Sequence, residues 1–263
     1  MRSARLTVVS TAFDTAPQLS DEELREELDL ARGAASAEVR ATVPEEHAYT
    51  TAAALEVDPL AARMRQAFFL DTPDLLLHQA GIVVRARRIR HGAPESDIRL
   101  RNVLPSELPG PVRRSTRFVV EVDAMPGSHV CSASLRGAPE DAAMREAIAG
   151  RRPLRKLFCK EQRRFFAAHA PAGIELDDLS VLGPIELAKV KFAPRELARK
   201  IRLEIWNYPD ASRVIELATR CRPDEALDAI AEVRAFLTDR GIGLSAVQQA
   251  KTRTALEHFA ARL

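Results

Sequence analysis

This 263-residue chain is short of several things, and each shortage narrows what it can be. Its three cysteines, Cys131, Cys159 and Cys221, are odd in number and far apart, which excludes a disulfide framework and a CxxC zinc site. No stretch of about 18 apolar residues exists, so no transmembrane helix is expected. The opening MRSARLTVVSTAFDTA has too short an apolar run, broken early by Asp14, to serve as a signal peptide, and the cytoplasm is the expected compartment. Aromatic residues make up 5%, with Trp206 the single tryptophan, which leaves little for stacking on bases; nucleic acid is not an expected partner. His47, His78, His91, His129, His169 and His258 form no HxxH or HExxH pair. GIG at 241–243 lacks any phosphate-loop context and reads as a helix stop.

What is present is charge, 29% of residues, and it is segregated. Residues 81–202 hold 24 Lys+Arg against 14 Asp+Glu, and the rest of the chain holds 15 against 23. A cationic middle suits an anionic ligand, such as a phosphate, a nucleotide or a nucleic acid. A compositional origin is the alternative, because arginine abounds while lysine numbers only six.

The first 33 residues are expected to form a helical extension: in SDEELREELDLARG, Ser20 can cap, Glu23 completes a capping box and Gly33 would stop the helix. Residues 34–263 form the main domain, with two apolar-periodic helices over 223–263 at its end. Between them lie strand-like segments, among them EVRATV, RMRQAFFLDT, IVVRARRIR, DIRLRNV, RFVVEVDA, LFCKEQRRFFAAH, IELDDLSVL, IELAKVKF, KIRLEIWNY and SRVIELAT. EEHAYTTAAALEV, PDLLLHQAG and APEDAAMREAIAG read as helices. Asp71 and Asp74, around Thr72-Pro73, read as turn and capping chemistry.

Side chains alternate across a strand with a period of two. One face of the predicted strands therefore carries Glu38 with Arg40, Arg85 with Arg87, Arg99 with Arg101, Arg117 with Glu121 and Asp123, Lys189 with Lys191, Arg202 with Glu204, and Glu216 with Arg220. The other face is apolar throughout, as in Ile82, Val84 and Ala86. An open antiparallel sheet with its charged face in water satisfies this pattern. So does a barrel whose charged face lines a lumen beneath outer helices, and there the carboxylates need a metal ion and the clustered cations a multivalent anion.

The run FFLDTPDLLLHQAGIVVRARR, Phe68 to Arg88, resembles the signature of the CYTH-domain proteins, the triphosphate tunnel metalloenzymes. The basic strand with Arg99 and Arg101, the acidic strand with Glu121 and Asp123, and KEQRRF follow in compatible order over roughly 36–260. The resemblance implies an α+β fold: an eight-stranded antiparallel β-barrel tunnel with helices packed outside. It implies Mg²⁺ or Mn²⁺ held by Glu38, Glu121, Asp123, Glu204 and Glu216. Phosphate oxygens would be gripped by Arg40, Arg85, Arg87, Arg99, Arg101, Lys160 and Arg163, with Lys189 and Lys191 as further basic residues of the site. Catalytic roles would fall to Glu38, Glu121 and Lys160. The implied activity is metal-dependent hydrolysis of inorganic tripolyphosphate or an organic triphosphate. The alternatives are a non-catalytic polyphosphate- or nucleotide-binding protein and an adenylate cyclase of the CYTH type. The family opens on Glu-x-Glu-x-Lys, whereas this chain reads Ser36-Ala37-Glu38-Val39-Arg40. Fewer carboxylates mean a weaker metal site, with one ion or little turnover. A triphosphate-containing small molecule is the expected partner, no membrane is involved, and the oligomeric state stays open, a homodimer included.

Overall fold

The alternating segments become the strands β1 (Ser36–Val43), β2 (Arg63–Asp71), β3 (Ile82–Ile89), β4 (Glu95–Arg101), β5 (Phe118–Met125), β6 (Ser128–Gly137), β7 (Ser180–Phe192), β8 (Ile201–Asn207) and β9 (Arg213–Cys221). The structure is a computed structural model describing residues 34–103, 115–125, 128–244 and 251–260. The acidic helix expected before Gly33 lies outside the described residues. The helices are α1 (Ala48–Ala54), α2 (Leu76–Gln79), α3 (Asp141–Ile148), α4 (Lys160–His169), α5 (Ala226–Asp239) and α6 (Lys251–Ala260). None among the described residues is long and apolar enough to cross a membrane.

The strands close into a ring in the order β1-β5-β6-β4-β3-β2-β7-β8-β9. This corrects the expectation of eight antiparallel strands: there are nine, and β1 runs parallel to β5 while every other pairing is antiparallel. The two departures are one fact. A ring in which all neighbours are antiparallel needs alternating directions, which only an even number of strands supplies. With nine, one parallel seam is unavoidable, and it falls where β1 is inserted between β5 and β9.

Two segments differ from the sequence reading. SHVCSASLRG forms β6, although its small residues give little strand signal. KEQRRF forms α4, not a strand. Gln162 explains the switch: fully buried, its amide donates to the carbonyls of Ser96 (3.2 Å) and Leu135 (3.1 Å), while its oxygen accepts from the Cys159 N–H (3.0 Å). The helix is thereby fastened across the outside of β4 and β6. Gly137 makes the approach possible, because a Cβ there would stand 2.3 Å from the Gln162 oxygen. The segments read separately as IELDDLSVL and IELAKVKF also join, since β7 runs unbroken from Ser180 to Phe192 and a register shift opposite Ala67–Phe69 absorbs Gly183-Pro184.

The apolar strand faces point outward under helices. Val84, Ala86, Ile98, Leu100, Val122 and Leu135 share a core with Met144 of α3 and Phe165 and Phe166 of α4. Val43, Ile201, Leu203, Ile215 and Leu217 pack with Val233, Phe236 and Leu237 of α5. Each fully buried side chain of this size stabilises the fold by about 1.5–3 kcal/mol relative to exposure. The inner face is apolar at one end only. There Ala67, Phe69, Ile185, Leu187, Trp206 and Val214 meet Ala255 and Leu256 of α6, so the last helix stoppers the barrel.

Candidate anion-binding lumen

Above the α6 stopper, the inner strand faces enclose a cavity of about 720 Å³. Its lining gathers the charged rows into one space: Glu38 and Arg40 from β1, Arg65 from β2, Arg85 and Arg87 from β3, Glu95, Asp97, Arg99 and Arg101 from β4, and Glu121 and Asp123 from β5. Arg136 comes from β6, Lys189 and Lys191 from β7, Arg202 and Glu204 from β8, and Glu216 and Arg220 from β9. The floor is Val83, Leu187 and Trp206, and Thr252 of α6 also reaches the cavity. Of the residues singled out in the sequence, Glu38, Arg40, Arg85, Arg87, Arg99, Arg101, Glu121, Asp123, Lys189, Lys191, Glu204 and Glu216 are brought together here.

Lys160 and Arg163 are not. Both ride on α4, outside the barrel, and Lys160 is exposed. Helical periodicity turns Gln162, Phe165 and Phe166 toward the sheet and leaves Lys160 in water. Conversely, Arg65, Glu95, Asp97 and Arg136 line the cavity without having been read onto the charged face, and Arg117, Arg202 and Arg220, which were read onto it, line it without a role implied by the resemblance. Their signal was available, because Asp97 lies two residues before Arg99, and Arg202 two before Glu204, on the same strand faces. Asp71, by contrast, is structural: its carboxylate accepts the backbone N–H groups of Thr72, Leu77 and His78, which orders the turn into α2.

The lumen has two unlike halves. On β8, β9, β1 and β5 stand five carboxylates, Glu38, Glu121, Asp123, Glu204 and Glu216, with Arg40, Arg202 and Arg220 among them. On β4, β3, β2 and β7 stand seven cations, Arg65, Arg85, Arg87, Arg99, Arg101, Lys189 and Lys191, against Glu95 and Asp97 only. Ion pairs knit the acidic half together and tie it to its neighbours, with Arg99 of β4 on Asp123 at 3.3 Å and Lys189 of β7 on Glu204 at 3.2 Å. Arg40 contacts Glu38 at 2.6 Å, Asp123 at 2.9 Å and Glu216 at 3.7 Å. Arg202 contacts Glu38, Glu204 at 3.1 Å and Glu216 at 4.0 Å. Glu121 receives Arg136 and Arg220, with Arg99 at 3.6 Å.

Proton affinities follow these surroundings. Burial works against the Arg40 charge, but Asp123, Glu216, Glu38 and Glu204 outweigh it and hold the guanidinium above the ordinary arginine range. Arg85 is pulled below that range by burial and by the neighbouring Arg87, despite Asp97 at 3.0 Å. Burial also lowers Lys189, to about 8; Glu204 at 3.2 Å opposes the shift while Arg202 and Arg65 add to it. The basic half is thus a place where positive charge is crowded and under-neutralised. Two of its guanidinium groups, Arg65 and Arg87, also bury an Nε donor with no hydrogen-bond partner among the described residues. Arg40 and Arg202 of the acidic half share this feature, so it does not set the two halves apart.

No family model matches the chain, and no curated protein matches its sequence. Solved structures do share the fold. HpAC1 from Hippeastrum, proposed as an adenylyl cyclase and described as having a dominant triphosphatase activity, matches with a TM-score of 0.61 at 14% identity, over 84% of this chain and 94% of that one. A Bacillus halodurans protein proposed as an adenylate cyclase matches with a TM-score of 0.56 at 12% identity, over 82% of this chain and 95% of that one. At these identities the likeness shows a common barrel architecture.

Proposed function

We propose that the lumen binds the triphosphate group of a small molecule, inorganic tripolyphosphate or an organic triphosphate, along its basic half. The observation that carries this reading is the imbalance on β4, β3, β2 and β7, seven cations to two carboxylates around one cavity. Planar guanidinium groups offer paired N–H donors that match phosphate oxygens, and they do so best where water is scarce. The structural likeness to HpAC1, with its described triphosphatase activity, supports the same ligand class. The three cysteines form no disulfide, which agrees with a reducing compartment, and we place the protein in the cytoplasm.

Binding with little turnover is the form of this function that the geometry favours over Mg²⁺- or Mn²⁺-dependent hydrolysis. Glu38, Glu121, Asp123, Glu204 and Glu216 all face the lumen, and their oxygens are of the type that hard cations take. Every one of them is nevertheless already engaged by an arginine or lysine. Among the described residues no three acidic, histidine or cysteine side chains converge as a ligand set. The residues as placed do not fit a divalent ion, and no step of this reading passes through one. Within it, Glu38 and Glu121 hold guanidinium groups in position, and Lys160 on the outer helix plays no part.

Calorimetry with tripolyphosphate in EDTA, repeated at raised salt, tests the binding. Saturable uptake that weakens with ionic strength is expected. Phosphate release measured alongside, over tripolyphosphate, thiamine triphosphate and nucleoside triphosphates with Mg²⁺ or Mn²⁺, tests the turnover. Many-fold metal-dependent release would replace the binding reading with a hydrolytic one, and no binding of any of these anions would end both.

A further inference from the structure

Four carboxylates of the acidic half meet in two registered pairs. Glu38 stands beside Asp123 across the parallel seam of β1 and β5, and Glu204 beside Glu216 across β8 and β9. All four are largely buried, and paired carboxylates need positive charge beside them to be stable away from water. Arg99 on Asp123 (3.3 Å) and Lys189 on Glu204 (3.2 Å) answer part of it from the rim, and two guanidinium groups supply the rest from the middle. Arg40 spans Glu38, Asp123 and Glu216, and Arg202 spans Glu38, Glu204 and Glu216, so Glu38 and Glu216 are shared between them. Together they bring two positive charges, the charge of one divalent ion, on side chains that stay protonated at any pH the protein survives.

We infer that Arg40 and Arg202 stand in for a divalent cation in this lumen, neutralising Glu38, Asp123, Glu204 and Glu216 and barring Mg²⁺ and Mn²⁺ from them. The geometry explains the choice of residue on each strand. Arg40 lies two residues after Glu38 and Arg202 two before Glu204, so both point to the same inner face as the carboxylates they cover. A guanidinium with several donors in a plane can bridge carboxylates on three strands, as a lysine's point charge does less well.

A reporter is built in. Trp206 is the single tryptophan, and its Nε1–H donates to the Glu204 carboxylate at 3.3 Å, so paramagnetic Mn²⁺ seated on this cluster quenches its emission. The full chain is titrated with Mn²⁺ alone, which keeps the outcome independent of whether a triphosphate binds. Wild-type emission is expected to stay unchanged into the millimolar range. Arg202→Met and Arg40→Met, with folding checked by circular dichroism, are expected to gain saturable quenching that Mg²⁺ reverses. A variant that folds only when Mn²⁺ is added supports the inference equally. Saturable quenching of the wild type overturns it, as does the absence of any Mn²⁺ response in both folded variants. Where neither variant folds, the wild-type titration decides.

Discussion

The two halves of the lumen are made from the same strand alternation and hold their charges in opposite ways. The half on β8, β9, β1 and β5 is densely paired, with its own guanidinium groups meeting its carboxylates at 2.6–4.0 Å and Arg99 and Lys189 reaching in from the other half at 3.3 and 3.2 Å. The half on β4, β3, β2 and β7 has more positive charge than its own carboxylates answer, and burial there lowers the proton affinity of Arg85 and, to about 8, of Lys189. One half therefore contributes to the rigidity of the barrel, and the other holds capacity for a ligand. A charged cavity becomes a binding site through what it leaves unneutralised, not through how many ionic side chains it contains.

The largest test of this contrast is on stability. Glu38→Gln removes the carboxylate shared by Arg40 and Arg202, and breaking a buried ion pair costs about 3–5 kcal/mol, read from the urea midpoint. Arg87→Met on the basic half should cost less stability than that, because it also relieves repulsion on Arg85. It should instead weaken tripolyphosphate binding by about 1.5–3 kcal/mol in calorimetry, the contribution of a charge-assisted hydrogen bond. If both changes act mainly on stability, the division between the halves is wrong.

A pH series sharpens the comparison further. Lys189, at about 8, is charged below that pH and neutral above it, so tripolyphosphate binding should weaken as pH rises from 7 to 9, and Lys189→Met should flatten the profile. The sign for folding is opposite. Between about 8 and 10.5 the unfolded chain keeps a proton that the folded chain has released, so this group's contribution to stability increases with pH across that window. The smallest effect is expected outside the barrel. Lys160→Ala should leave binding unchanged and stability within about 0.5 kcal/mol, as for most exposed positions.

The charged and apolar rows were legible from period-two alternation alone, while their closing into a lumen was an expectation of the resemblance carried by Phe68 to Arg88. EVRATV, IVVRARR, DIRLRN and KIRLEIW each display a charged row and an apolar row, and the structure turns those rows inward and outward. Three things were not legible, each for a physical reason. β6 alternates Ser132, Ser134 and Arg136 with Cys131, Ala133 and Leu135, but its side chains are mostly small, so the contrast between its faces is faint. The basic run around Lys160 looked like another lumen strand because its charges dominate. Its helical signal is quieter: Gln162, Phe165 and Phe166 at spacings of three and four, with the buried amide of Gln162 deciding the packing. Pairing was the third. That Arg40 and Arg202 serve the same carboxylates depends on β1 and β8 facing each other across β9, a distance of 164 residues along the chain.

The place of β1 in the ring has a consequence for how the molecule is made. β1 is the first strand among the described residues, yet the Cys221 thiol that meets the Ala37 carbonyl comes 184 positions later. A ribosome must release the chain through β9 before the ring can shut, and contacts of such long sequence separation form slowly. Until then, Glu38 and Arg40 wait at an open edge with only β5 to pair with. Nascent chains held at that stage would display an unpaired strand border, and they are the species on which chaperone dependence and aggregation should concentrate.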